Sequence, residues 1–156
     1  MLDVDIPGWG SYHFSAVLFD LNGTLAQNGQ LAASTRARLL QLGERLALYV
    51  ISADTHGTLA EVTEGLPLQA RRLQGTLGAE EKRRLVLELG AEHTIAVGNG
   101  RNDAAMLRQA ALGIAILGAE GAAVETLLAA DLVFPHIDDA LESLLHPRRL
   151  LATLRG

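Results

Sequence analysis

The residue types able to do chemistry in this 156-residue chain fall into four short stretches. Ala16-Val17-Leu18-Phe19-Asp20-Leu21-Asn22-Gly23-Thr24 runs four apolar residues into a carboxylate and breaks at a glycine. Val50-Ile51-Ser52-Ala53-Asp54-Thr55 places a hydroxyl just after an apolar run, and Lys82 stands near the start of an amphipathic stretch. Val97-Gly98-Asn99-Gly100-Arg101-Asn102-Asp103 leads an apolar run into a glycine loop. An aspartate can act as a nucleophile and carry a phosphoryl group covalently. Phosphoryl transfer then depends on positioning and charge neutralisation more than on further covalent help. In that reading Ser52 and the backbone N–H groups after it hold phosphate oxygens, and Lys82 neutralises charge near Asp20. Oxygen ligands from the fourth loop suit Mg²⁺, a hard ion that keeps several waters.

Each stretch also has a plainer reading. Asp20 can be a strand-end turn residue. Ser52 or Asp54 can cap the helix that follows, as can Asn102 or Asp103. A lysine on a polar helix face is ordinarily solvated. The pair Gly98 and Gly100 suggests a dinucleotide-binding loop, but position 103 is Asp where the third glycine would stand. Asn22 limits the chemistry: a carboxylate there would form an acid/base pair with Asp20, and the chain has an amide.

These residues need a scaffold that gathers strand ends. Apolar runs at Phe14–Leu21, Leu46–Ser52, Leu68–Leu73, Thr94–Gly98, Gly113–Leu117 and Asp131–Phe134 read as strands. Helical spacing appears over Ser34–Glu44, which opens on a Ser/Thr cap, and over His56–Glu64, Ala79–Leu89, Asn102–Ala111, Glu120–Ala130 and Ile137–Leu145. Such alternation means βαβ units with right-handed crossovers. The expected fold is α/β, a three-layer sandwich around a mostly parallel central sheet, built as a single domain over residues 1–156. Ligands of such sheets bind outside the carboxyl ends of the strands. Met1–Ile6 alternates and precedes Pro7-Gly8, so it is expected to pair as an edge strand with the start of the first core strand. Asn28-Gly29 is a strong hairpin signal, which predicts a small β-flap over residues 24–33 near Asp20.

Composition excludes several classes. With 49% apolar residues, the chain is expected to fold. Its formal net charge is −5, and its basic clusters (Arg71-Arg72, Lys82-Arg83-Arg84, Arg148-Arg149) are short. Neither a nucleic-acid nor an anionic-membrane partner is expected. Without cysteine there is no disulfide framework and no thiolate zinc site. The N-terminal residues lack the pattern of a signal peptide, and no apolar stretch reaches the roughly 20 residues of a membrane span. The expected location is cytoplasmic.

Taken together, the motifs resemble those of the haloacid dehalogenase-like superfamily. Asp20-Leu21-Asn22-Gly23-Thr24 resembles its first motif, Ser52 its second, Lys82 its third, and Gly98 to Asp103 its fourth. The resemblance spans roughly Val17 to Phe134 and is strongest to the small, cap-less proteins described as soluble P-type-ATPase-like. It implies the superfamily's Rossmann-like core with no cap domain, because the gaps between Asp20, Ser52 and Lys82 are too short to house one. It also implies residue roles. Asp20 is the nucleophile and a Mg²⁺ ligand, and the carbonyl of Asn22 is a second ligand. Ser52, with Ala53, Gly23 and Lys82, holds the phosphoryl group. Lys82 orients Asp20, and Asn99 and Asp103 lie at the metal.

Two positions depart from the superfamily's pattern. Its phosphatases carry Asp where Asn22 stands, to protonate the leaving group and activate water. Asn99 likewise stands where a carboxylate ligand is usual. The expected function is a slow, Mg²⁺-dependent phosphohydrolase or phosphotransferase acting through an aspartyl-phosphate on Asp20. The alternative is a binding or regulatory module that kept the fold and lost the reaction. The implied partner is a small phosphorylated substrate. A homo-oligomer is also expected, with a neighbouring subunit or the flap covering the open site.

Overall fold

The computed structural model describes residues 1–53 and 57–156. Asp54, Thr55 and His56, and with them the proposed Asp54 cap and the first residue of the helix expected at His56–Glu64, lie outside the described residues. The central sheet has six strands: β3 (Ala16–Asp20), β4 (Ala47–Ser52), β5 (Leu68–Arg72), β6 (Thr94–Gly98), β7 (Leu112–Ile116) and β8 (Leu132–Phe134). Their spatial order is β5-β4-β3-β6-β7-β8, with parallel pairing at every step. The chain winds outward from β3 in one direction and then restarts at β6 in the other. The strand order therefore reverses between β3 and β6, the place where open α/β sheets bind ligands.

Alternation along the strands divides the core in two. Val17 and Phe19 of β3, Ile95 and Val97 of β6, and Ile114 and Ile116 of β7 face one layer. That layer receives α1 (Ala33–Leu42), α2 (Thr58–Thr63), α6 (Ile137–Leu145) and α7 (Arg148–Leu154). Leu18, Ala96 and Ala115 face the other, which is closed by α3 (Gly78–Leu89), α4 (Ala104–Gln109) and α5 (Val124–Ala129). Ala96, Gly113 and Ala115 on this second face are small because α4 lies close to β6 and β7. A Cβ added to Gly113 would sit 2.7 Å from the Leu107 carbonyl oxygen. Burying both faces explains why the strands read as continuous apolar runs. Among the described residues no cap domain is inserted, and no helix is long and apolar enough to cross a membrane.

Three local expectations are corrected. Residues 2–6 do not join the core sheet. β1 (Leu2–Ile6) pairs antiparallel with β2 (Gly10–Phe14) in a separate two-stranded sheet, with Leu2 opposite Phe14. Gly8 and Gly10, at φ +83° and +138°, reverse the chain, so Phe14 belongs to the hairpin and the core strand starts at Ala16. Ser34 and Thr35 do not cap α1. Their hydroxyls donate at 2.6 Å to the two carboxylate oxygens of Asp138 on α6, locking the helices side by side. The helix expected from Glu120 starts at Val124, because Gly118 and Gly121, at φ +56° and +76°, hold the preceding residues in a turn.

Candidate active site

Asp20 ends β3 in parallel register with Ile51 of β4, so Ser52 projects from the neighbouring strand tip one residue further on. On the other side Phe19 pairs with Val97, which brings Gly98 and Asn99 beside the Asp20 tip. Three adjacent strands thus deliver Asp20, Ser52 and Asn99 to one end of the sheet. Lys82 reaches the same place from α3. The plainer reading of a solvated lysine does not hold, since its side chain is buried.

Lys82 Nζ donates to Asp20 Oδ1 at 2.8 Å and to Asp103 Oδ1 at 2.7 Å. The second oxygen of Asp103 accepts the backbone N–H groups of Asn99 (3.0 Å) and Gly100 (2.9 Å). Asp103 therefore satisfies the first turn after the glycine loop, as a cap would, and also faces Lys82. Gly98 is required for this approach, because a Cβ there would lie 2.5 Å from the Asp103 carboxyl carbon. Thr24 Oγ1 lies 3.2 Å from Asp20 Oδ2 and 3.3 Å from Asn99 Oδ1. One hydroxyl proton cannot serve both oxygens at once, so Thr24 marks a point on which Asp20 and Asn99 converge. Asn99 Nδ2 donates to the Gly121 carbonyl at 3.1 Å.

Burial lifts the Asp20 carboxyl to about 6, and the nearby Asp103 charge adds to this. Lys82 and the Thr24 hydroxyl oppose the rise. Burial alone would push Lys82 down. The two carboxylates beside it outweigh that and raise it, so it stays charged.

The loop after Asp20 turns tightly. Gly23, at φ +78°, donates its N–H to the Ala26 carbonyl at 2.9 Å, and the Asn22 side chain is exposed. Asn28 and Gly29, at φ +52° and +75°, form a two-residue turn in which Gln27 and Gln30 exchange both backbone hydrogen bonds at 3.0 Å. Ser52 is buried and Ala53 exposed at the β4 tip. Beside Ala53 opens a cleft of about 810 Å³, walled by Leu73, Leu77, Arg101, Arg108 and Glu125.

The donors near Asp20 are hard oxygens: its own carboxylate, the Asn99 amide oxygen and the Thr24 hydroxyl. This set fits a Mg²⁺-class ion and not a thiophilic metal. Among the described residues no three Asp, Glu or His side chains group closely enough to cage a metal. Mg²⁺ needs no such cage, because one or two carboxylates with waters suffice.

Two residues near this site carried no assigned role in the sequence reading. Thr24 sits within its first motif yet bridges Asp20 and Asn99. Glu120 lies against Gly23, where a Cβ would be 2.4 Å from Glu120 Oε2. Its signal was an acid between two loop glycines just past a buried strand.

Comparison with known proteins agrees with this architecture. The 3-deoxy-D-manno-octulosonate 8-phosphate phosphatase of Moraxella catarrhalis, solved with magnesium ion, phosphate ion and KDO, superposes with a TM-score of 0.65 at 17% identity, over 90% of this chain and 90% of that one. The cobalt-bound deoxy-D-mannose-octulosonate 8-phosphate phosphatase of Haemophilus influenzae gives 0.71 at 14% identity, over 87% and 86%. In sequence, the chain is 51% identical over 61 residues to the uncharacterized protein MJ0073 of Methanocaldococcus jannaschii. That match spans 39% of this chain and 66% of MJ0073, just short of two thirds of it. Residues 84–140 match the family model of haloacid dehalogenase-like hydrolases. The chain thus has the fold of these phosphatases, and the segment bearing Asn99, Asp103 and Glu120 matches the haloacid dehalogenase-like hydrolase family in sequence.

Proposed function

We propose that this protein is a haloacid dehalogenase-type phosphohydrolase of the cap-less, P-type-ATPase-like kind, in which Asp20 takes up a phosphoryl group from a small phosphorylated molecule. One observation carries the reading: a single buried lysine is bonded to both Asp20 and Asp103 at the point where the strand order reverses. Lys82 holds Asp20 Oδ1, and Oδ2, which faces the Thr24 hydroxyl at 3.2 Å, is the oxygen that attacks. Ser52 and the backbone at Ala53 receive the phosphoryl oxygens from the adjacent strand tip. The leaving group occupies the neighbouring cleft, whose walls combine Leu73 and Leu77 with Arg101 and Arg108. Asp20, the Asn22 carbonyl and Asn99 would hold Mg²⁺, with Asp103 behind them. When bound, the ion supplies neutralisation of the phosphoryl charge.

Asn22 makes the second half of the reaction slow. An amide neither protonates a leaving group nor activates water, and that help is worth roughly 10²–10⁴-fold. The phosphorylated form of Asp20 is therefore expected to accumulate. Incubation with acetyl phosphate and Mg²⁺, followed by intact-mass measurement, should add one phosphoryl group to the wild type and none to Asp20→Asn. A wild type left unmodified at saturating Mg²⁺ would overturn the reading in favour of a binding module.

A further inference from the structure

We infer that Glu120 completes the cation-holding side of this site, standing in for the carboxylate that position 99 lacks. The inference rests on reading the site as a Mg²⁺-assisted phosphoryl-transfer centre and concerns a residue which that reading leaves out.

Three contacts place Glu120. A point one Cβ length from Gly23 lies 2.4 Å from Glu120 Oε2 and 2.6 Å from Asn99 Nδ2, so the carboxylate and the amide flank the same spot beside the Asp20 loop. Asn99 Nδ2 donates to the carbonyl of Gly121, the residue after Glu120, and fixes the loop that carries the acid. A Cβ on Gly118 would lie 3.4 Å from the Gly23 carbonyl oxygen, which seats the start of that loop on the same turn. Among the described residues, no hydrogen bond or ion pair engages the Glu120 carboxylate, although it lies against a polar site.

Charge explains the pairing. Asp20 and Asp103 share the single ammonium of Lys82, so the three groups keep one formal negative charge for a divalent cation. Glu120 adds a second. An aspartate at position 99 would offer no N–H to the Gly121 carbonyl and would set a carboxylate against Glu120. Asparagine does the opposite: its oxygen faces the Thr24 hydroxyl while its nitrogen holds the Glu120 loop. Asn99 and Glu120 therefore work as a pair. Glu120 is exposed, so its carboxylate would act on the ion through bound water. Removing outer partners of this kind typically costs 10–100-fold in metal affinity.

The test is calorimetric titration of Mg²⁺ into the full chain, paired with the Mg²⁺ concentration needed for half-maximal beryllofluoride uptake at Asp20. Glu120→Gln should raise the Mg²⁺ dissociation constant by roughly 10-fold or more. Asn99→Asp in the Glu120→Gln background should recover most of that loss, because it places an acid at position 99. Unaltered Mg²⁺ affinity in Glu120→Gln, with wild-type beryllofluoride uptake intact, overturns this inference and leaves the phosphoryl-transfer reading standing. A wild type that binds neither Mg²⁺ nor beryllofluoride overturns both.

Discussion

Lys82 and Asp103 form an ion pair of 2.7 Å whose side chains are 2% and 0% exposed. Charges taken this far from water are held in place by each other, and losing Lys82 leaves both Asp20 and Asp103 without their counter-charge. Lys82→Met should therefore destabilise the fold by about 3–5 kcal/mol. The urea midpoint at pH 7 measures this. Adding Asp20→Asn should recover part of the loss, since one of the two uncompensated carboxylates is then removed.

The raised Asp20 carboxyl gives a pH signature in the metal-free protein. Its folded value of about 6 exceeds the unfolded value of 3.8, so the folded state binds the proton more tightly. That contribution is fully present below pH 4 and disappears as pH rises through about 6, on the order of 3 kcal/mol. Asp103, Lys82 and Thr24 face this carboxyl and are retained in Asp20→Asn. The difference in urea midpoint between wild type and Asp20→Asn should therefore change across pH 4–7, with the wild type losing relative stability as pH rises. A constant difference would mean that Asp20 titrates normally.

Asn22→Asp should raise steady-state hydrolysis of p-nitrophenyl phosphate by about 10²-fold, the lower end of general acid–base help. The same change should shorten the lifetime of the phosphorylated protein seen by mass spectrometry. Unchanged turnover would place Asn22 away from the leaving group.

Asp138 accepts the hydroxyls of Ser34 and Thr35 and also lies 3.4 Å from Arg38 Nη1. Thr35 is buried, so Asp138→Ala would strand its hydroxyl at a cost of about 1–3 kcal/mol. Thermal melting should report that loss. Thr35→Val in the same background should return part of it, because no buried donor then remains.

The strand tips were legible because each buried strand ends abruptly in a chemically distinct residue: Asp20, Ser52, Gly98. α6 was legible to its exact ends, since its apolar residues keep helical spacing throughout Ile137–Leu145. What escaped was set by partners far along the chain. The hydroxyls of Ser34 and Thr35 look like a helix cap locally, and only the folded structure brings Asp138 to them. Glu120 looked helical beside an alanine-rich run until the left-handed glycines on either side are seen to hold it in a turn. Lys82 had the local pattern of a surface residue, and only the set of four motifs and their resemblance tied it to Asp20; its burial depends on two acids, 62 and 21 positions away.

β3 also has a consequence for how the chain is made. It is the first core strand to be synthesised, yet one of its edges is paired only by β6, whose residues begin at Thr94. Until then Ala16-Val17-Leu18-Phe19 presents an open, apolar edge of the kind that recruits other strands. During synthesis, the strand that ends in Asp20 thus keeps one edge open to misassembly, and chaperone demand should fall once residue 98 clears the ribosome.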